Sequence, residues 1–248
     1  MEKSADEAKS EGIDEEDVKE VDGEEKDGDK VKAEKLDHLT IFIPITSSSG
    51  QPAIYLDHCA NGTAASPAQC ISGAWEDGNL VASKAHYIEG DSVPYRAVFK
   101  QLVAGQTYSM TIEWDTTKGG KHALDYLTTY NRTETDADPC SDIYSNCGDG
   151  PANTFPIPPD LFMQSDVNWV GSQISGEFTI YNGTIDSVSG YNTPANYSGD
   201  TSTSITVNFT ADQNDWVVIA WGGHISTRED WGEENSAINI SGSPYHMR

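Results

Sequence analysis

The chain has 248 residues, 40 of them acidic and 15 basic, for a formal net charge of −25 at pH 7. A length of this order holds one large β-domain or two small ones and can bury a substantial core. The acidity excludes nucleic acid as a partner, which needs clustered Lys and Arg, and disfavours an anionic membrane surface; no run approaches about 18 consecutive apolar residues, so no membrane span is expected.

Residues 1–37 carry 16 acids and 7 bases and almost no aromatic or large apolar side chain. Such a segment cannot bury enough apolar area to offset chain entropy, so it is expected to be a disordered acidic tail, with a partly formed charged helix as the alternative. Its start, MEKSADEAKSEG, has no apolar run and does not read as a secretory signal. From His38 the composition changes, and 38–248 is expected to be a single β-sandwich domain. HLTIFIPIT reads as a strand, with Pro44 marking an edge or strand end, and PAIYL as a short second strand. CANGTAASPAQC is a loop. YRAVFKQL, the turn VAGQ and TYSMTIEW form the strongest signal, because Tyr108, Met110, Ile112 and Trp114 recur at period two. KGGKHALDYLTTYNRT is a strand or a single helical turn, and 133–160 is a long loop. GEFTIYNGTIDSVSGY, TSITVNFTA and DWVVIAWGGHI are strand-like, and Gly222 and Gly223 are expected to end or kink the last of them. The body is thus expected to be all-β, an antiparallel β-sandwich (immunoglobulin- or prealbumin-like) with long loops and roughly seven to ten strands, with no convincing helix.

Cys59, Cys70, Cys140 and Cys147 allow three connectivities. The two local pairs are favoured because each closes a loop rich in Gly, Asn, Ser and Pro; free thiols and a metal site are the alternatives, the latter lacking zinc-knuckle spacing. Six sequons begin at Asn61, Asn131, Asn182, Asn196, Asn208 and Asn239, either glycan acceptors or ordinary turn and strand chemistry. Asn208 falls opposite in phase to Ile205, Val207 and Phe209, so it is expected on the solvent face. Asp136, Asp138, Asp142 and Asp149 crowd the second cysteine pair and are candidate calcium ligands, although the spacing is not that of an EF-hand and a solvated acidic loop is the plainer reading. Trp75, Trp221 and Trp231, like Trp169, lie beside small or polar residues and are candidates for a sugar-stacking platform; large rings also fill sandwich cores. In WGGHISTREDWG, Trp221 and Trp231 are expected to cap the sandwich end and Arg228 to pair with nearby acids. The six histidines share no metal-binding spacing, and no hydrolase, nucleotide or dinucleotide fingerprint occurs. A hydrolase assembled from distant residues, for instance His224 with an acid and a serine, is the remote alternative.

Several segments in fixed order carry a resemblance: GDSVPYRAVF, TIEWDTTKGGKHALDYLT, DPCSD, TFPIPPD, AWGGHIS and ISGSPYHMR. Over residues about 50 to 248 they resemble a recurrent domain of exported, uncharacterised microbial surface proteins, loosely described as prealbumin-like. The resemblance implies an exported, cell-surface or filament-forming structural protein and supplies no catalytic residues. Similar proteins continue beyond this C-terminus and lack the acidic head, so the chain is expected to be a fragment or processed piece.

The combined expectation is an extracellular or cell-surface structural or adhesive protein that is not an enzyme, needs no cofactor, and joins copies of itself or other surface proteins by strand addition through edges such as HLTIFIPIT. A carbohydrate- or calcium-binding β-sandwich module is the alternative.

Overall fold

A computed structural model describes residues 52–143, 147, 152–240 and 246–248, together with two strand backbones at 30–32 and 40–44. The expected disordered tail, 1–37, lies outside the described residues apart from Lys30–Lys32, and Asp149 lies outside them too. In chain order the strands are β1 (Lys30–Lys32), β2 (Thr40–Pro44), β3 (Ala53–Cys59), β4 (Gly62–Thr63), β5 (Ser66–Pro67), β6 (Trp75–Glu76), β7 (Ser92–Leu102) and β8 (Thr107–Lys118). They continue as β9 (Lys121–His122), β10 (Leu124–Thr128), β11 (Asn153–Pro156), β12 (Glu177–Tyr181), β13 (Gly183–Val188), β14 (Thr201–Ala211) and β15 (Asp215–Ile225). Two single-turn helices, α1 (Leu161–Gln164) and α2 (Arg228–Trp231), depart from the expectation of no helix. Each is made by its cap. Asp160 accepts from the backbone N–H groups of Phe162 and Met163, and the Thr227 hydroxyl accepts from that of Asp230.

Among the described residues the strands form two large antiparallel sheets and a separate two-stranded ribbon, β4-β5. One runs β1-β2-β8-β14-β13 with β9 on the end of β8; the other runs β11-β12-β15-β7-β3-β6 with β10 on the end of β15. Their facing sides make the sandwich core. Tyr108, Met110, Ile112 and Trp114 of β8 are buried as their period-two spacing requires, and so are Ile205, Val207 and Phe209 of β14. Opposite them lie Tyr95, Ala97 and Phe99 of β7 and Val217, Ile219 and Trp221 of β15. Phe99 meets Phe209 with ring centroids 4.9 Å apart.

The second sheet is also covered on its outer side. Strand β7 is buried at every position from Ser92 to Phe99. Val98 and Val218 pack outward against Cys140, Ile143 and Cys147, so the disulfide loop is a third layer. β15 shares one edge between two neighbours: Val218–Ala220 pair with β12, whereas Gly222, Gly223 and Ile225 pair with β10. The strand therefore runs through Gly222 and Gly223 instead of ending there. The reason is close approach: a Cβ on Gly222 would collide with the Thr128 hydroxyl and sit 2.8 Å from the Thr129 carbonyl oxygen.

Candidate functional site

A buried polar constellation lies at one end of the sandwich, where the chain crosses from β8 through β9 into β10. Leu124 and Leu127 of β10 are buried in the sandwich core, while Asp125 is directed to the other side, towards β15 and α2. The Asp125 carboxylate is buried and accepts three hydrogen bonds. Its Oδ1 accepts from His224 Nδ1 at 2.6 Å and from the Tyr126 backbone N–H at 3.0 Å; its Oδ2 accepts from Trp231 Nε1 at 3.1 Å. An ionised carboxylate only accepts, so Nδ1 is the protonated nitrogen of His224. Strand β15 supplies His224, and the short helix after it supplies Trp231. The Thr227 cap and Gly232, at φ 89°, turn the chain tightly enough to bring that indole back.

Aromatic rings enclose this network. Tyr126 stacks on His224 at 4.3 Å, and His122 stacks on Trp231 at 3.3 Å. Tyr197 meets both His122 and Trp231 edge-on, and Phe162 of α1 meets Tyr197 edge-on in turn. Burial lowers the His122 imidazole from its usual 6.5 to about 4, with Asp166 opposing the shift. Burial likewise raises the phenols of Tyr126 and Tyr197.

A serine also lies nearby. Ser92 of β7 is the register partner of His224. Acid, histidine and serine are thus brought to one place, as the remote hydrolase alternative requires. The geometry for nucleophilic attack is missing. Ser92 is fully buried, and its Oγ has no hydrogen-bond partner among the described residues, so His224 does not hold its proton. As it stands, the constellation joins β10, β15 and α2 and seals the end of the sandwich.

A second polar centre anchors the covering loop. Arg96, projecting outward from β7, is buried; its Nε donates to Asp57 Oδ2 at 2.9 Å, and its Nη1 donates to the carbonyls of Pro139 at 3.1 Å and Ser141 at 2.6 Å. Its guanidinium also lies 4.6 Å from the Trp75 ring centroid. Both local disulfides are present, Cys59–Cys70 and Cys140–Cys147, with Cα separations of 5.5 and 5.3 Å.

The remaining candidates fare differently. Trp221 and Trp231 are buried at 0% and 2% exposure, the first in the core and the second in the sealed end, so neither offers a face to a sugar. Trp75 is half-buried, with Nε1 donating to the Asp138 carbonyl at 2.9 Å and one face occupied by Arg96. Asp136, Asp138 and Asp142 do not converge. Asp136 accepts from Gln69, Asp138 from the Cys140 backbone N–H, and Asp142 from Ser72 and the Gly73 N–H; the Ser72 bond is the largest of the effects that hold the Asp142 carboxyl below its ordinary range. Among the described residues no group of three or more His, Cys, Asp or Glu side chains could hold a metal ion.

Asn61 is buried; its amide donates to Glu134 at 2.7 Å and its Oδ1 accepts from the His86 backbone N–H, so it is unsuited to carry a glycan in the folded chain. Asn131 and Asn196 are exposed, and Asn182, Asn208 and Asn239 are half-buried. Asn208 projects from the outer face, where its Nδ2 donates to Ser187 Oγ at 3.1 Å. Arg228 pairs with Glu233 of the adjacent acidic run at 3.7 Å, as expected, and more closely with the distant Glu89 at 3.0 Å.

Sequence reasoning singled out His224 but not its acid. ALDYL alternates like any strand, and only the pairing of β10 with β15 shows that Asp125 meets His224. One local signal was readable: Thr227-x-x-Asp230 followed by Gly232 is a capped one-turn helix. No helix in the described residues is long and apolar enough to cross a membrane. No protein-family model, no curated protein and no solved structure matches the chain.

Proposed function

We propose that this protein is a structural or adhesive subunit of the extracellular surface or matrix, presenting a rigid acidic sandwich and joining its neighbours by strand addition. The observation that carries the reading is the way the fold spends its polar residues. Asp125, His224, Trp231 and Arg96 are all buried, and their hydrogen bonds tie strands to covering loops. Groups engaged in this way stiffen a scaffold and leave little for a substrate. Two local disulfides fit an oxidising compartment, and a net charge of −25 keeps such a subunit soluble at high concentration. The motifs that resemble exported microbial surface proteins point the same way. Asn131 and Asn196, being exposed, are the sequons best disposed to carry glycans.

Electron microscopy of the full chain at millimolar concentration tests the proposal. Filaments or lattices are the expected result. A monodisperse monomer by light scattering across the same range overturns it.

A further inference from the structure

Strand β8 has two very different edges. On one side β14 pairs with it from Thr107↔Thr210 to Thr117↔Thr201, with one register shift between Ser202 and Thr201. On the other side β9 folds back on Thr117 and Lys118, and the rest of the edge is covered by two short pieces from opposite ends of the chain. Residues 40–42 of β2 pair with Thr111, Met110 and Ser109. Further along, Met247 bridges Trp114, Glu113 and Arg248 exchange backbone hydrogen bonds of 2.6 and 2.7 Å, and the Asp115 N–H donates to the His246 carbonyl at 2.9 Å. Both pieces run antiparallel to β8. The C-terminal piece reaches the position opposite Glu113 and β2 begins opposite Thr111, so together they form one acceptor edge interrupted at Ile112.

The two pieces are not held alike. Arg248 clamps Glu113 through Nε and Nη2, at 2.8 and 2.7 Å, and reaches Asp115 through Nη1 at 2.9 Å. β2 is Thr-Ile-Phe-Ile-Pro, without a charged residue; its other edge pairs with β1 through Phe42, Ile43 and Pro44, and Pro44 has no N–H to extend the pairing with β8. The run joining β2 to the body, Ile45-Thr-Ser-Ser-Ser-Gly-Gln51, has one large apolar residue, Ile45, followed by six small or polar ones.

We propose that the 109–111 stretch of the β8 edge is a strand-acceptor site that takes β2 of a second copy of this chain in place of its own. The inference rests on the structural-subunit reading above and adds the donor, the edge and the register. A donated β2, carrying β1 on its other edge, makes the same backbone bonds to β8 as the resident pair, so the balance between them is set by chain concentration against the effective concentration of the tether. For a short tether that is on the order of 1 mM, which is where half-exchange is expected. Donation from each copy to the next gives an open, head-to-tail series.

Full-length Phe42→Cys and full-length Ser109→Cys chains, with native disulfides formed, are mixed under mild oxidation. Register partners in an antiparallel pair have Cα atoms about 4.5–5.5 Å apart, within disulfide reach. The expected product is a covalent dimer that peptide mapping shows to be joined at 42–109, increasing with concentration to about half of the protein near 1 mM. A chain carrying both substitutions is expected to close on itself at micromolar concentration. If it closes while the mixture gives no dimer up to several millimolar, exchange is overturned; if neither cross-links, and Thr40→Cys with Thr111→Cys behaves likewise, the register itself is overturned. Wild-type filaments without the 42–109 link sink the exchange but leave the structural reading standing, whereas absence of both filaments and link sinks both.

Discussion

Replacing Asp125 with alanine removes the carboxylate on which three donors converge. The His224 Nδ1–H, the Trp231 Nε1–H and the Tyr126 backbone N–H then lie buried with nothing to receive them. Each orphaned donor costs about 1–3 kcal/mol, and partial relaxation around the cavity recovers some of the sum, which leaves an expected loss of about 4 kcal/mol. For a domain of this size that lowers Tm by about 8–16 °C. Asp125→Asn keeps one carbonyl acceptor and places an N–H₂ against a donor, so about 2 kcal/mol is expected. Urea unfolding followed by tryptophan fluorescence measures both, with an unchanged m-value confirming that the folded and unfolded states are still those compared. A loss below about 1 kcal/mol for the alanine variant, or equal losses for the two, would refute the idea that this carboxylate organises the sandwich end.

Four further outcomes are expected. His122 titrates at about 4 when folded against 6.5 when exposed, so the unfolded chain binds more protons between those values. Its contribution is complete above pH 6.5 and is lost as the pH falls towards 4; His58, also lowered by burial, acts in the same direction. Stability measured from pH 7 to 4 should fall, and His122→Phe should flatten the slope by about 3 kcal/mol across that window; an unchanged slope contradicts it. Gly222→Ala forces a Cβ against Thr128 and Thr129 and should cost about 1–3 kcal/mol by urea titration, while Gly73→Ala, with open space around it and a positive φ, should cost less. Arg96→Met leaves Asp57 unpaired and the Pro139 and Ser141 carbonyls unserved, so a loss of about 3–5 kcal/mol and faster proteolytic cleavage near Ser141 are expected. Because Asp136, Asp138 and Asp142 are each engaged by separate donors, millimolar calcium should leave Tm unchanged in a thermal melt.

Where one face of a strand meets solvent, period two is a sufficient code. Tyr108 to Trp114 and Ile205 to Phe209 therefore declared their strands and their buried faces in the bare sequence, and Asn208 its outer one. The disulfide pairing was also readable, because each cysteine pair closes a short loop of turn-forming residues. Strand β7 carried no such alternation, since a third layer covers its outer face and removes any need for polar residues there. Gly222 and Gly223 looked like terminators because nothing local distinguishes a glycine that ends a strand from one that admits a neighbouring backbone.

Composition and periodicity thus determined the class of fold, the acidic character and the two staples, all of which depend on residues close together along the chain. Tertiary structure alone decided that Asp125 meets His224 across 99 residues, that Trp221 and Trp231 are interior, and that β2 and Arg248 share the edge of β8. Those are pairings of distant segments, and their partners are chosen by sheet order and register, which no local pattern encodes.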